Sequence, residues 1–106
     1  MPNLTLSPAK TEPEAFWISS EILRDAVIQG LSGRLFKAWM DLLVVASMQD
    51  ERGTLPGAAE CAYALGRDVT TVQDWCDALV AVGVLRQRAD GRYVADRSCV
   101  CWGDPA

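Results

Sequence analysis

Apolar residues recur at helical spacing along most of the chain, and the first such stretch covers residues 20–29. Ser19-Ser20 provides its N-cap, because a serine hydroxyl can accept a hydrogen bond from a free backbone N–H of the first turn. Gly30 is expected to end this helix. Its predicted buried stripe consists of Ile22, Leu23, Ala26 and Val27.

A longer helix is predicted from Ser32 to about Met48. Its apolar positions extend nearly all round the helix, so the helix is either central to the core or partly covered by a second chain. The residues that broaden the stripe are Met40, Val44, Val45 and Met48. Of these, Met40, Val44 and Met48 would contact a protein partner or a second copy of the chain.

Two shorter helices are predicted in the second half of the chain. The first begins at Leu55-Pro56-Gly57, with Pro56 at the first helical position, where its missing N–H costs nothing. It ends at Gly66, which accepts the left-handed conformation of a helix C-terminus. The second opens at Thr70, which is expected to form a reciprocal capping box with Gln73. The apolar positions of the two helices are Ala58, Cys61, Ala62 and Leu65, and then Val72, Trp75, Cys76, Leu79 and Val82.

A β-hairpin is predicted after the second of these helices. Its strands cover residues 84–88 and 92–95. Asp90-Gly91 is a strong signal for a two-residue turn, which would pair Arg88 with Tyr93. Because side chains alternate across a strand, Leu85 and Val94 then share the inner face. The predicted outer face consists of Arg86, Arg88 and Tyr93.

Helix, short turn, helix and hairpin together resemble a winged helix-turn-helix. The residues that carry this resemblance are Cys61-Ala62, Leu65-Gly66, Val72, Leu79 and Gly83-Val84-Leu85. Upstream, Gly53-Thr54-Leu55 resembles the short strand that pairs with the wing. Over residues 16–95, the chain looks most like the N-terminal domains of phage replication-initiation and replisome-organiser proteins. The resemblance implies a mainly α fold with a small β-hairpin, and a DNA-binding protein of replication or transcription control, of phage or plasmid type.

In proteins of this type, the N-terminal half of the second helix normally enters the major groove. The candidate contacts on this helix are Thr70, Thr71, Gln73 and Asp74. Threonine and glutamine side chains can read base edges, whereas Asp74 and Asp77 are unfavourable neighbours for phosphates. The alternative is that Gln73 only caps the helix and that the acidic residues favour its positive N-terminus.

The hairpin is the second candidate contact region, because Arg86, Arg88 and Tyr93 on one face would form a phosphate clamp. Arg92 in the hairpin and Arg67 in the turn before the second helix would add backbone contacts. Residues 84–97 hold four arginines against two aspartates. The alternative is a solvated hairpin whose charges serve solubility and edge protection. Further cations that could reach the backbone are Arg24, Arg34 and Lys37.

The overall charge favours a different partner. The net charge is −4, which is unfavourable for binding to double-stranded DNA, since affinity depends on Lys and Arg neutralising phosphates. A second hypothesis is therefore an acidic winged-helix module that binds a protein partner, for example a host factor, instead of DNA.

Little in the sequence points to catalysis. The chain has no histidine, which excludes imidazole acid–base chemistry and His-activated nucleophiles. No glycine-rich phosphate loop is present, so we expect neither an enzyme nor a cofactor. The close pair Cys99 and Cys101 lacks the Cys-x-x-Cys spacing of a metal knuckle, and no metal site is expected. Cys61 and Cys76 fall on apolar helix faces, where a thiol behaves as a small hydrophobe.

A chain of 106 residues allows one domain, predicted over residues 16–97. Residues 1–15 are predicted to be a mobile N-terminal tail and residues 98–106 a C-terminal tail. Trp102 is expected to fold back on the domain. No apolar run approaches the roughly 18 residues of a membrane span, and no secretory signal is visible, so a cytoplasmic location without membrane contact is expected.

Overall fold

The structure is a computed structural model that describes residues 16–102. The predicted tail 1–15, and residues 103–106 of the predicted C-terminal tail, lie outside the described residues. The elements are, in chain order, β1 (Trp17–Ile18), a 3₁₀ helix (Ser20–Arg24), α1 (Ala26–Gln29), α2 (Gly33–Ser47), β2 (Thr54–Leu55), α3 (Ala58–Leu65), α4 (Val69–Ala81), β3 (Arg86–Gln87), β4 (Tyr93–Val94) and β5 (Val100–Cys101). Helices predominate and the strands are short and antiparallel, which confirms a mainly α fold with a small β component.

The long helix α2 lies at the centre of the core. Ser32 caps it by accepting a hydrogen bond from the Leu35 N–H at 3.1 Å, which confirms the predicted start. Its fully buried side chains include Trp39, Leu42, Leu43 and Ala46. Burying each large aliphatic side chain stabilises the fold by about 1.5–3 kcal/mol. Two apolar side chains near the C-terminal end of α2 are open to solvent: Val44 is 46% exposed, and Met48, the C-cap, is 48% exposed.

The segment before α2 differs from the single helix predicted over residues 20–29. Ser19 caps a 3₁₀ helix as expected, but Asp25 adopts an extended conformation and interrupts the helix. The Asp25 carboxylate accepts hydrogen bonds from the first N–H groups of α1. Aspartate side chains readily make such local hydrogen bonds to the backbone, and these compete with continuation of a helix. The predicted buried stripe is therefore wrong: Leu23 is 75% exposed, and Ile28 is the buried residue of α1.

The two predicted helices of the second half are α3 and α4, with different starting points. Pro56 precedes α3 instead of occupying its first turn, and Gly57 is the N-cap. Gly66 ends α3 in the left-handed conformation, with φ of 65°, as predicted. The capping box at the start of α4 is wrong, because Asp68 caps the helix by accepting from the Thr70 N–H at 3.0 Å.

A three-stranded antiparallel sheet, in the order β2–β4–β3, packs beside these helices. Thr54 pairs with Val94, and Leu55 pairs with Tyr93. This pairing confirms that the segment before α3 forms a strand with the hairpin.

The hairpin turn is one residue longer than predicted. The Gly91 N–H donates to the Arg88 carbonyl at 3.0 Å, and the Arg88 N–H donates to the Arg92 carbonyl at 2.7 Å. Gly91, with φ of 88°, takes the left-handed position of this three-residue loop. Tyr93 is consequently paired with Gln87 and not with Arg88. A one-residue slip exchanges the two faces of a strand, so the predicted outer position of Tyr93 is wrong.

The segment after the hairpin packs on the same unit. β5 pairs with β1, joining Trp17 to Cys101 in register. Cys99 is completely buried. Trp102 folds back as predicted: its indole N–H donates to the Ala95 carbonyl at 3.0 Å, and its ring lies 5.6 Å from that of Phe16. Residues 98–102, assigned from sequence to the C-terminal tail, therefore contribute a strand and part of the core.

Candidate nucleic-acid interface

The N-terminal half of α4 presents part of the predicted contact surface. Thr70 and Asp74 are exposed, whereas Thr71 and Gln73 are half-buried. The Gln73 amide nitrogen donates to the Asp77 carboxylate at 2.9 Å and to the Tyr93 hydroxyl at 3.2 Å. Gln73 therefore neither caps the helix nor has a free amide donor for a base edge, and it links α4 to the hairpin instead.

Tyr93 belongs to the core of the domain. Only 3% of it is exposed, and burial raises the pKa of its phenol. Its hydroxyl is satisfied by the bond from Gln73. The phosphate clamp predicted from Arg86, Arg88 and Tyr93 on one face is therefore not formed.

The hairpin arginines are paired with carboxylates. Arg86 lies 3.0 Å from Asp96, and Arg88 lies 3.3 Å from Glu51 and 3.0 Å from Asp90. Exposed ion pairs of this kind contribute only about 0–1 kcal/mol, so a phosphate could displace them. The carboxylates nevertheless cancel most of the positive charge that the sequence placed on the hairpin.

Two further arginines of this region lie in different surroundings. Arg97 forms a close, half-buried ion pair with Asp25 and is therefore not part of the hairpin surface. The hydrogen bonds from Arg97 lower the pKa of the Asp25 carboxyl. Arg92 is half-buried beside Glu60 and Asp90, in a cleft between the hairpin and the start of α3. Within residues 16–102 it forms no ion pair.

Two other cations lie at the N-terminal half of α4. The Arg67 guanidinium carbon lies 5.7 Å from the centre of the Trp75 ring, a cation–π distance. Arg34, at the start of α2, lines a cleft of about 350 Å³ together with Thr71, Asp74 and Trp75. Neither arginine forms an ion pair with any carboxylate in the described part of the chain. Sequence reasoning identified Arg67, but no local signal placed Arg34 beside α4, because that depends on how α2 packs on α4.

Three of the four cysteines are buried and serve packing. Cys61 and Cys76 are completely buried, and burial raises their pKa values to about 12 and about 11. Cys99 is buried on β5, whereas Cys101 is exposed on the same strand. From Phe16 to Trp102, no group of three or more His, Cys, Asp or Glu side chains is placed to hold a metal ion.

The helices between residues 16 and 102 are too short or too polar for any of them to cross a bilayer. The chain matches no protein-family model, and comparison with curated proteins and with solved structures gives no significant match. A functional assignment therefore depends on the geometry of the residues themselves.

Proposed function

We propose that this chain is a winged helix-turn-helix protein that binds double-stranded DNA, in replication or transcription control of phage or plasmid type. In this proposal α3, the turn at residues 66–68 and α4 form the helix-turn-helix, and β2, β3 and β4 form the wing sheet. Support comes from the strand order β2–β4–β3 and from the Gln73–Tyr93 hydrogen bond, which holds the hairpin against α4.

The observation that carries the proposal is the position of Arg34 and Arg67. Two guanidinium groups that have no carboxylate partner among residues 16–102 lie beside the exposed start of α4. Phosphate neutralisation by such groups supplies most of the affinity of non-specific DNA binding. The cationic contacts are thus centred on the turn and the start of α2, with the hairpin arginines contributing when phosphates displace their carboxylate partners.

Base recognition in this arrangement is limited. Gln73 is occupied, which leaves Thr70, Thr71 and Asp74 to reach base edges. Threonine contacts several bases, and aspartate accepts a hydrogen bond from cytosine N4. We therefore expect weak sequence preference and strong dependence on salt.

The proposal is tested by adding one negative charge to α4. Thr70→Glu places a carboxylate on the exposed first turn of α4. A negative charge is stabilising near a helix N-terminus, so this variant should keep the fold intact. The matched control is Ala64→Glu, an exposed position on α3. In fluorescence anisotropy with a labelled random-sequence duplex at about 50 mM salt, Thr70→Glu should weaken binding roughly tenfold, and the control should weaken it less. Absence of wild-type binding, or equal effects of the two variants, would contradict the proposal.

A specific observation also favours a protein-interaction module as a second candidate. Val44 and Met48 are about half exposed at the C-terminal end of α2, and Asp74 and Asp77 are exposed on α4. In this case the chain would bind a protein partner or a second copy through the end of α2. Sedimentation equilibrium of the wild type beside Val44→Ser/Met48→Ser tests the homodimer: a concentration-dependent dimer should be lost in the double variant.

A further inference from the structure

The cleft between α2 and α4 has the chemistry of an anion site. Its walls come from the start of α2, through Ser32, Arg34 and Leu35, and from the first turns of α4, through Thr71, Asp74 and Trp75. A volume of about 350 Å³ lies at the lower end of the range for small-ligand sites and has room for one phosphate with its adjoining sugar. Two helices that are distant in sequence therefore build one recess, with both polar and apolar side chains in its walls.

One arginine lines this recess, and a second lies beside its Trp75 wall. Arg34 is exposed, and its guanidinium has no carboxylate partner within the described residues. Arg67 is held by Trp75, which lies under its guanidinium and also forms part of the cleft wall. A cation–π contact of this kind leaves the N–H donors of the guanidinium free to bind an anion. Trp75 therefore links the two arginines, because it contacts Arg67 and lines the cleft together with Arg34.

The remaining polar groups define what the cleft can accept. The Ser32 hydroxyl already accepts from the Leu35 N–H. The Thr71 hydroxyl has no hydrogen-bond partner among residues 16–102. Among the described residues, Asp74 supplies the single carboxylate of the cleft lining. The lining itself holds Arg34 and Asp74, and Arg67, beside the Trp75 ring, adds a second cation. These three side chains together carry a charge of about +1, which matches the single negative charge of a phosphodiester.

We propose that this cleft holds one phosphodiester of the DNA backbone, shared between Arg34 and Arg67, with the Thr71 hydroxyl as a further donor. This inference rests on the proposed DNA binding and adds that both arginines act on the same phosphate. Trp75 is a positioning residue that acts through Arg67. The shared phosphate fixes α4 relative to the duplex without carrying sequence information.

Salt dependence of binding tests the sharing directly. Each neutralised phosphate contributes about 0.9 to the slope of log affinity against log salt. Anisotropy titrations of a labelled random-sequence duplex, over about 50 to 200 mM salt, are made with the wild type, Arg34→Ala, Arg67→Ala and the double variant. Arg24→Ala is the control. The sequence places Arg24 among the cations that could reach the backbone, but it pairs with Glu21 on the 3₁₀ helix and lines a separate recess with Asp25 and Arg97.

If the two arginines share one phosphate, the slope of log affinity against log salt should decrease in the double variant by about 0.9, the contribution of one phosphate. The affinity of the double variant should also fall roughly tenfold or more at low salt. The single variants should each lose less slope than the double, because the other arginine remains. Loss of about two phosphates' slope would show separate contacts and overturn the shared site. An unchanged slope in the double variant, with wild-type binding intact, would overturn the site but not DNA binding. No wild-type binding at low salt would overturn both.

Discussion

Arg97 donates two hydrogen bonds to the carboxylate of Asp25, with Nη2–Oδ1 at 2.5 Å and Nε–Oδ2 at 2.9 Å. The same carboxylate accepts from the N–H groups of Val27 and Ile28 at the start of α1. One side chain therefore caps a helix and fastens the segment after the hairpin to the segment before α2. The pair explains why Arg97, although close to the hairpin in sequence, is not part of its surface.

Removing this carboxylate should destabilise the domain. Asp25→Ala deletes a cap, commonly worth about 1 kcal/mol, and leaves the half-buried Arg97 without its partner. We expect the free energy of unfolding to fall by roughly 2–3 kcal/mol, measured from urea denaturation. Glu21→Ala, which breaks the exposed pair with Arg24, is the control and should change stability little. Equal effects of the two variants would mean that the Asp25 pair is no stronger than a surface pair.

The same pair predicts how stability depends on pH. Hydrogen bonds from Arg97 hold the pKa of Asp25 below its ordinary value of 3.8. The unfolded chain therefore binds this proton more readily, so the contribution is full above about pH 3.8 and is lost as the pH falls through the folded-state pKa. Wild type should lose more stability between about pH 5 and pH 2 than Asp25→Asn, which has no carboxylate to protonate there. Parallel pH profiles in urea denaturation would contradict this assignment.

Tyr93 offers a test of the hairpin register. With its phenol buried and bonded to Gln73, Tyr93→Phe should cost about 1 kcal/mol of stability, because it leaves an amide donor without one of its partners. Duplex affinity should stay within about twofold of wild type, since the hydroxyl faces α4 and not the solvent. Urea denaturation and anisotropy measure the two quantities on one sample. A large loss of affinity with unchanged stability would place Tyr93 on the DNA surface after all.

The register also shows where local sequence signals are insufficient. Asp90-Gly91 favours a tight turn, but a two-residue and a three-residue loop both fit those letters. Burial of the Tyr93 ring between β2 and α4 distinguishes them, and that is a contact between distant segments. The start of α2 at Ser32 and the end of α3 at Gly66 are predicted correctly, because the hydrogen-bond partners of these two residues lie only a few positions away in the sequence.

The candidate site divides in the same way. The sequence predicts three candidate contacts from their position in or before the helix: Thr70, Asp74 and Arg67. Thr70 and Asp74 lie on the exposed side of the helix, and Arg67 makes a cation–π contact with Trp75. Pairing of Arg88 with Glu51 and of Arg97 with Asp25 could not be predicted, because each partner comes from another part of the chain. Sequence shows which residues carry charge, but the tertiary fold determines which charges remain available.

Asp74 should oppose phosphate binding in the cleft. Asp74→Asn keeps the size of the side chain and removes a negative charge beside Arg34, so duplex affinity should rise roughly threefold to tenfold at about 50 mM salt. The control is Asp50→Asn, an exposed aspartate that follows the far end of α2. Anisotropy under identical salt measures both. If the two variants tighten binding equally, the effect is one of net charge and not of the cleft.

The most direct test of the account is NMR of the ¹⁵N-labelled protein during titration with a short random-sequence duplex at low salt. Binding through α4 predicts the largest shift changes at the backbone N–H groups of Arg34, Thr70, Thr71 and Asp74 and at the Trp75 indole N–H. Residues at the end of α2, around Val44 and Met48, should change little. Shifts confined to the end of α2, or no shifts at all, would contradict DNA binding by this face.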